Sequence, residues 1–241
     1  MESTSDQQPQ ILAAGIAHTP DIAPAPRHPP LTQRNTVRDT WGWLWKDSLG
    51  RVTPFLFAAA VYYRVTKNVE RERHRYTPAV FWRDVCIGTA VGAPLAAVSA
   101  VFRVSVAPGY RLPTRPDHVV QTTYYFALNA PAEELFWRGT IQTLAIKGLY
   151  RVLRSHTLAT GVGWATTTAA FGAYHRLGKW SWKSIAGVTV AGGLFGLMQA
   201  FKPKRTTILA PIIAHGFATA GFLNWGDVAA HWWRVNKMRR G

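Results

Sequence analysis

The 241-residue chain has a single cysteine, Cys86, and only 12 Asp and Glu against 28 Lys and Arg. One cysteine excludes a disulfide scaffold; as a small hydrophobe it is expected to be buried. Charge is scarce altogether, at 17% of residues, while 48% are hydrophobic. From residue 118 to residue 226 there are just two acids, and they are neighbours, Glu133 and Glu134. Aromatic side chains are plentiful instead. Eleven Trp, eleven Phe and eight Tyr are too many apolar rings for a solvated polymer, which excludes wholesale disorder.

A net charge of +16 first raises nucleic acid as a partner, but the cations are in the wrong places for it. They gather near the ends of long uncharged runs: Val85 to Phe102, Thr157 to Tyr174, Ser184 to Phe201, and Thr206 to Gly226, the last interrupted only by His215. A helix rises about 1.5 Å per residue, so runs of this length roughly match a bilayer core of about 30 Å. Trp82, Trp180, Trp182, Trp225, Trp232 and Trp233 lie beside these runs or at their edges, as an interfacial belt requires. The expectation is an all-α, polytopic transmembrane helical bundle with five to seven membrane-embedded helices. It would sit in the cell membrane, the inner one in a Gram-negative cell, with lipid rather than nucleic acid around it.

Residues 1–40 are rich in Pro, Gln, Thr and Ser and carry net −1, so a disordered tail is expected there. The bundle is expected over 41–226, beginning with the aromatic cluster Trp41, Trp43, Leu44 and Trp45. Residues 227–241 read as a basic juxtamembrane tail, with Arg234, Lys237, Arg239 and Arg240 suited to anionic lipid. Val52 to Tyr63, bounded by Arg51 and Arg64, is short for a span and reads as a short helix, a re-entrant piece or a tilted span. Arg64 to Arg83 reads as a basic loop and Ala107 to Asp117 as a proline-rich connection. Pro94 is expected to kink its span, and Pro131 to break or start a helix.

An ionisable residue at bilayer depth is a functional candidate by default. In a helix, Glu134 and Arg138 are i,i+4 with the acid first, the favoured order for an ion pair. Glu133 points about 100° away and has no such local partner. His215 interrupts the last uncharged run, and an imidazole there needs a partner; Thr219 shares its face. His175 closes the 157–174 run. A buried Glu and two His in apolar helices supply a base, a proton-sharing group and donors for an oxyanion, the minimal set for water-based acyl hydrolysis.

These residues resemble a family. Ala132-Glu133-Glu134-Leu135-Phe136-Trp137-Arg138-Gly139 matches the E-E-x-x-x-R signature of the CAAX-protease and bacteriocin-processing intramembrane proteases. Phe171-Gly172-Ala173-Tyr174-His175 is similar to its F-x-x-x-H motif, and Ala210-Pro211-Ile212-Ile213-Ala214-His215 to the lead-in of its H-x-x-x-N motif. The spacings, 42 residues from Glu133 to His175 and 40 from there to His215, fit it too. The resemblance covers about 85–226. It implies a glutamic endopeptidase that needs no cofactor and acts on a membrane-associated peptide or protein. Glu133 and His175 would activate water, His215 with Thr219 would stabilise the oxyanion, and Glu134 with Arg138 would hold the motif helix. One position departs from the pattern: Thr219 stands where the family has Asn. Two alternatives stay open, a zinc-dependent protease using two His and a Glu, and a catalytically inactive immunity or scaffold protein of the same fold.

Overall fold

Prolines shape the helices of this chain without ending them. The computed structural model describes residues 37–67, 77–106, 115–178, 180–200 and 207–240. The first rod runs over 37–65, as α1 (Val37–Asp47), a π-turn (Ser48–Val52) and α2 (Thr53–Val65). The second is α3 (Pro78–Val106). A third rod, 115–153, strings together α4 (Arg115–Tyr124), a π-turn (Tyr125–Asn129), α5 (Ala130–Glu134), a π-segment (Leu135–Gln142) and α6 (Thr143–Leu153). Then come α7 (His156–Tyr174), a 3-10 turn (His175–Gly178) and α8 (Trp182–Ala200). The last rod joins α9 (Leu209–Ala220), a π-turn (Gly221–Trp225) and α10 (Gly226–Arg240). No strand occurs among the described residues.

Pro131 opens the α-helical segment α5, one of the two roles expected of it, and does so without interrupting the rod. A proline lacks an N–H and its ring clashes with the carbonyl four residues back. Directly upstream, the π-turn pairs Ala130 N–H with the Tyr125 carbonyl, one residue further back than in an α-helix. The same device precedes Pro54, where Thr53 N–H reaches the Ser48 carbonyl. The widened turn gives the ring room, and the rod continues. Helix α3 likewise runs unbroken through Pro94.

Charged residues also sit inside helices where the uncharged runs placed helix ends. Arg83, Asp84 and Arg103 belong to α3. The supposed Arg64–Arg83 loop loses its two ends to α2 and α3, and the Ala107–Asp117 connection loses its last three residues to α4; 68–76 and 107–114 lie outside the described residues, as do 1–36 of the expected tail. The backbone of the C-terminal segment continues as α10 to Arg240; the side chains of Arg234, Lys237, Arg239 and Arg240 lie outside the description.

Polarity is turned inward. Arg138, Gln142, Glu134, Asn224, Asp84 and Asp117 are among the largest wholly buried side chains, while Phe57, Val98, Val101, Leu158 and Val190 are exposed. Buried polar groups must be satisfied internally, and many are. Asp84 accepts from Thr207 N–H at 2.7 Å and Thr207 Oγ1 at 2.6 Å. Arg103 pairs with Asp227 at 2.9 Å, and Asp117 accepts from Thr40 at 2.7 Å. Cys86 is exposed rather than buried. Among the described residues one helix, α3, is long and apolar enough to cross a membrane. Only 17% of its apolar window is buried, so it is not the core helix of a water-soluble fold. The apolar α3 and the outward-facing aliphatic side chains support a membrane protein.

Small residues bring α3 onto the last rod. A Cβ on Gly88 would meet the Ala210 carbonyl at 2.7 Å, one on Gly92 the Ala214 Cα at 2.9 Å, and one on Gly221 the Ala96 Cα at 2.5 Å. Backbone against backbone cannot yield as a flexible side chain does. Gly221→Ala is therefore expected to cost about 1–3 kcal/mol through overpacking and to lower the unfolding temperature in detergent. Gly161→Ala, where a Cβ meets nothing within 4 Å, is expected to leave that temperature unchanged or raise it.

Candidate active site

The third rod carries both glutamates into the bundle. Glu133 and Glu134 end α5, and the π-segment directly after it holds Arg138. Here Thr140 Oγ1 donates to the Leu135 carbonyl at 3.0 Å and Thr143 Oγ1 to the Arg138 carbonyl at 3.1 Å. Each bond reaches back five residues, which suits the widened helix.

Glu134 is fully buried and divides its two oxygens. Oε1 lies 2.7 Å from His215 Nδ1 and Oε2 lies 3.5 Å from Arg138 Nε. Arg138 then donates Nη2 to the Gly192 carbonyl at 2.7 Å and lies 4.2 Å over the Phe171 ring. A Cβ on Gly192 would meet Phe171 at 2.4 Å and Arg138 Nη2 at 2.8 Å, so the bare backbone is what admits the guanidinium. One turn on, Gln142 repeats the contact by donating to the Gly196 carbonyl at 3.0 Å. The glycines of α8 therefore present acceptors as well as close packing.

A carboxylate can only accept from an imidazole, so His215 Nδ1 donates to Glu134. This leaves His215 Nε2 facing Glu133 Oε2 at 3.7 Å. Phe195 stacks on the His215 ring, with centroids 4.9 Å apart and planes 14° apart, while Phe171 meets it edge-on. His175 is fixed by the same logic. Its Nδ1 donates to the Phe171 carbonyl at 2.8 Å, which leaves Nε2 with a lone pair.

Glu133 has no ion-pair partner on its own helix, as its position implied, but one reaches it from another rod. Arg51, from the π-turn of the first rod, donates Nη1 to Glu133 Oε1, and Asn129 Nδ2 donates to the same oxygen at 3.2 Å. Arg51 is held in turn by Asp47, with Nε to Oδ1 at 2.8 Å and Nη2 to Oδ2 at 2.5 Å. Tyr124 donates its hydroxyl to Asp47 Oδ2 at 2.5 Å. In the sequence Arg51 reads only as the boundary of an apolar run. The available signal was the Asp47–Arg51 spacing, i,i+4 with the acid first.

Glu133, His175, His215 and Thr219 all line one cavity of about 380 Å³, together with Arg51, Asn129, Tyr125 and Tyr174. Glu134 and Arg138 stand behind it. Thr219 makes no hydrogen bond among the described residues, so its hydroxyl is not spent on the His215 carbonyl. Asn224 faces elsewhere, donating to Thr122 Oγ1 at 2.8 Å. The Tyr125 hydroxyl is buried without a hydrogen-bond partner among the described residues. Among those residues no group of three His, Cys, Asp or Glu stands so as to hold a metal ion.

The site gathers two carboxylates, two imidazoles of fixed orientation and a free hydroxyl, a set able to activate water and to receive a developing negative charge. Residues 115–221 match the family described as Rce1-like, type II CAAX prenyl endopeptidase Rce1-like. No curated protein and no solved structure matches the chain.

Glu134→Gln breaks a buried carboxylate with two partners on separate elements, at a cost on the order of 3–5 kcal/mol. Glu133→Gln should cost clearly less, because Arg51 keeps both bonds to Asp47. Thermal unfolding of the two variants in detergent checks the order; equal losses would contradict it.

Proposed function

We propose, on the premise that residues 115–221 belong to the Rce1-like family of CAAX-protease hydrolases, that this chain is a multi-pass intramembrane endopeptidase of the glutamic type. Its substrate is a peptide bond in a membrane-associated peptide or protein. The observation that carries the reading is the convergence of Glu133, His175 and His215 on one cavity, with His215 braced from behind by Glu134 at 2.7 Å.

Glu133, assisted by the His175 Nε2 lone pair, takes a proton from a water in the cavity. The resulting hydroxide attacks the scissile carbonyl carbon, and negative charge moves onto the carbonyl oxygen. A neutral His215 with Nδ1–H on Glu134 has no donor left at Nε2. The oxyanion role therefore calls for the imidazolium. In that state three cations, Arg51, Arg138 and His215, balance three anions, Asp47, Glu133 and Glu134, within one ion-pair chain. Thr219 adds a hydroxyl donor at the cavity wall. When the tetrahedral intermediate collapses, the C–N bond breaks and the proton held by Glu133 passes to the leaving amine, which restores the carboxylate.

The multi-pass reading draws support from the uncharged runs that fall on α7, α8 and the last rod, and from the apolar outer surface. Thr219 in place of Asn favours a second reading, in which the cavity binds a peptide without cutting it.

The purified protein, assayed on a panel of membrane-anchored peptides, is expected to cleave at least one, and chelator should leave the rate unchanged. Glu133→Gln should abolish cleavage, since the amide keeps the shape but takes no proton. Thr219→Val removes one donor, and a single oxyanion donor is worth on the order of 10²–10³ in rate; a loss toward the lower part of that range is expected. Thr219→Asn should preserve or raise the rate. If neither wild type nor Thr219→Asn cleaves any peptide, the binding reading takes precedence. An unchanged rate in Thr219→Val removes the hydroxyl from the mechanism.

A further inference from the structure

We infer that Asp47 and Arg51 of the first rod are positioning residues that select which oxygen of Glu133 serves as the base. The inference rests on the protease reading above. Both residues lie outside the segment matched by the family and outside the region whose motifs carry the resemblance.

A carboxylate offers two oxygens, and only one can be aimed at a water held among His175, His215 and the substrate. Oε1 of Glu133 already has two donors, Arg51 Nη1 and Asn129 Nδ2. Oε2 has neither and faces His215 Nε2 across 3.7 Å, a gap too long for a direct hydrogen bond. The oxygen left unsaturated is thus the one on the imidazole side of the cavity. Asn129 is four residues before Glu133 on the same rod and can hold the carboxylate only loosely, at 3.2 Å. Arg51 holds it from a different rod, and a planar guanidinium gripped on two nitrogens by Asp47 cannot rotate without breaking both bonds. Tyr124 donates its hydroxyl to Asp47 Oδ2, the oxygen that also accepts from Arg51 Nη2. The chain Tyr124–Asp47–Arg51–Glu133 therefore ties the orientation of the carboxylate to the seating of the first rod against the third.

Arg51 also supplies the countercharge that a carboxylate withdrawn from bulk water requires. Both features act on the chemical step. Neither requires contact with the scissile bond.

The test uses the full-length protein in lipid nanodiscs with a membrane-anchored peptide that the wild type cleaves, measuring kcat and KM separately. Misplacing a reacting group by about 1 Å costs about 100-fold in rate, so Arg51→Ala is expected to lower kcat about 100-fold with little change in KM. Guanidinium ion added at sub-denaturing concentration should restore part of that kcat in Arg51→Ala and none in Glu133→Gln. Arg51→Lys should recover less than guanidinium does, because one ammonium cannot reproduce the fork. Should Arg51→Ala fail to fold, Asp47→Asn carries the test. It leaves Arg51 in place but loosens it, and a fall in kcat of about tenfold at constant KM is expected. An unchanged or raised kcat in the tested variant overturns the positioning role alone, a raised one because the ion pair would then be blocking the base. A loss in Arg51→Ala that guanidinium does not restore overturns it too. A wild type that cleaves nothing overturns the protease reading, and the positioning role with it.

Discussion

The geometry of the cavity depends on the buried Glu134 carboxylate. One oxygen takes the Nδ1 proton of His215 on α9 and the other pairs with Arg138 one turn along its own rod. Arg138 then reaches the backbone of α8 at Gly192 and the ring of Phe171 on α7. The third rod, α7, α8 and α9 thus meet through two fully buried side chains, Glu134 and Arg138. Replacing the carboxylate would strand a guanidinium and loosen an imidazole together, in surroundings where neither finds water. The cavity inherits its geometry from this. His215 points Nε2 at the chamber because Nδ1 is held from behind, and Phe195 and Phe171 limit the tilt of its ring.

The neighbouring Glu133 plays the opposite part. It lies at the cavity wall, accepts hydrogen bonds on one oxygen only, and is held by a residue 82 positions earlier. Adjacent carboxylates on one helix point about 100° apart, and here that angle separates a bracing acid from one that faces the chamber. Widened turns refine the arrangement. Arg51, Asn129 and Arg138 all lie in π-segments, each of which rotates the next helical turn away from the direction a regular helix would give it. Two of these segments stand directly before Pro54 and Pro131. The strain relief a proline demands and the aim of a site residue are met by the same local widening.

Outside the site, the molecule is arranged for an apolar surround. Asp84, Arg103, Asp117 and Asp227 are buried and bonded to partners on other elements, while large aliphatic and aromatic side chains face outward. The exposure of Cys86 belongs to this pattern. A small apolar side chain seeks the interior only when water lies outside; against lipid the preference disappears.

The sequence by itself determined the helical class, the approximate positions of the longest helices and the spacing of the candidate site residues. Uncharged runs mark helices because charge is costly at bilayer depth, and the spacing of Glu133, Glu134, Arg138, His175, His215 and Thr219 is a property of the chain. The i,i+4 pairing of Glu134 with Arg138 was legible for the same reason, since a helix converts spacing into direction. Helix ends were less legible: α3 extends over Asp84 and Arg103, whose charges are met by Thr207 and Asp227 from the last rod and the segment that leads into it. Only the tertiary structure decided that Glu133 is held by Arg51, that Glu134 holds His215, and that the α8 glycines serve as acceptors. Each of these joins residues more than 50 positions apart. Local periodicity fixes which way a side chain leaves its own helix, but not which other helix packs in front of it.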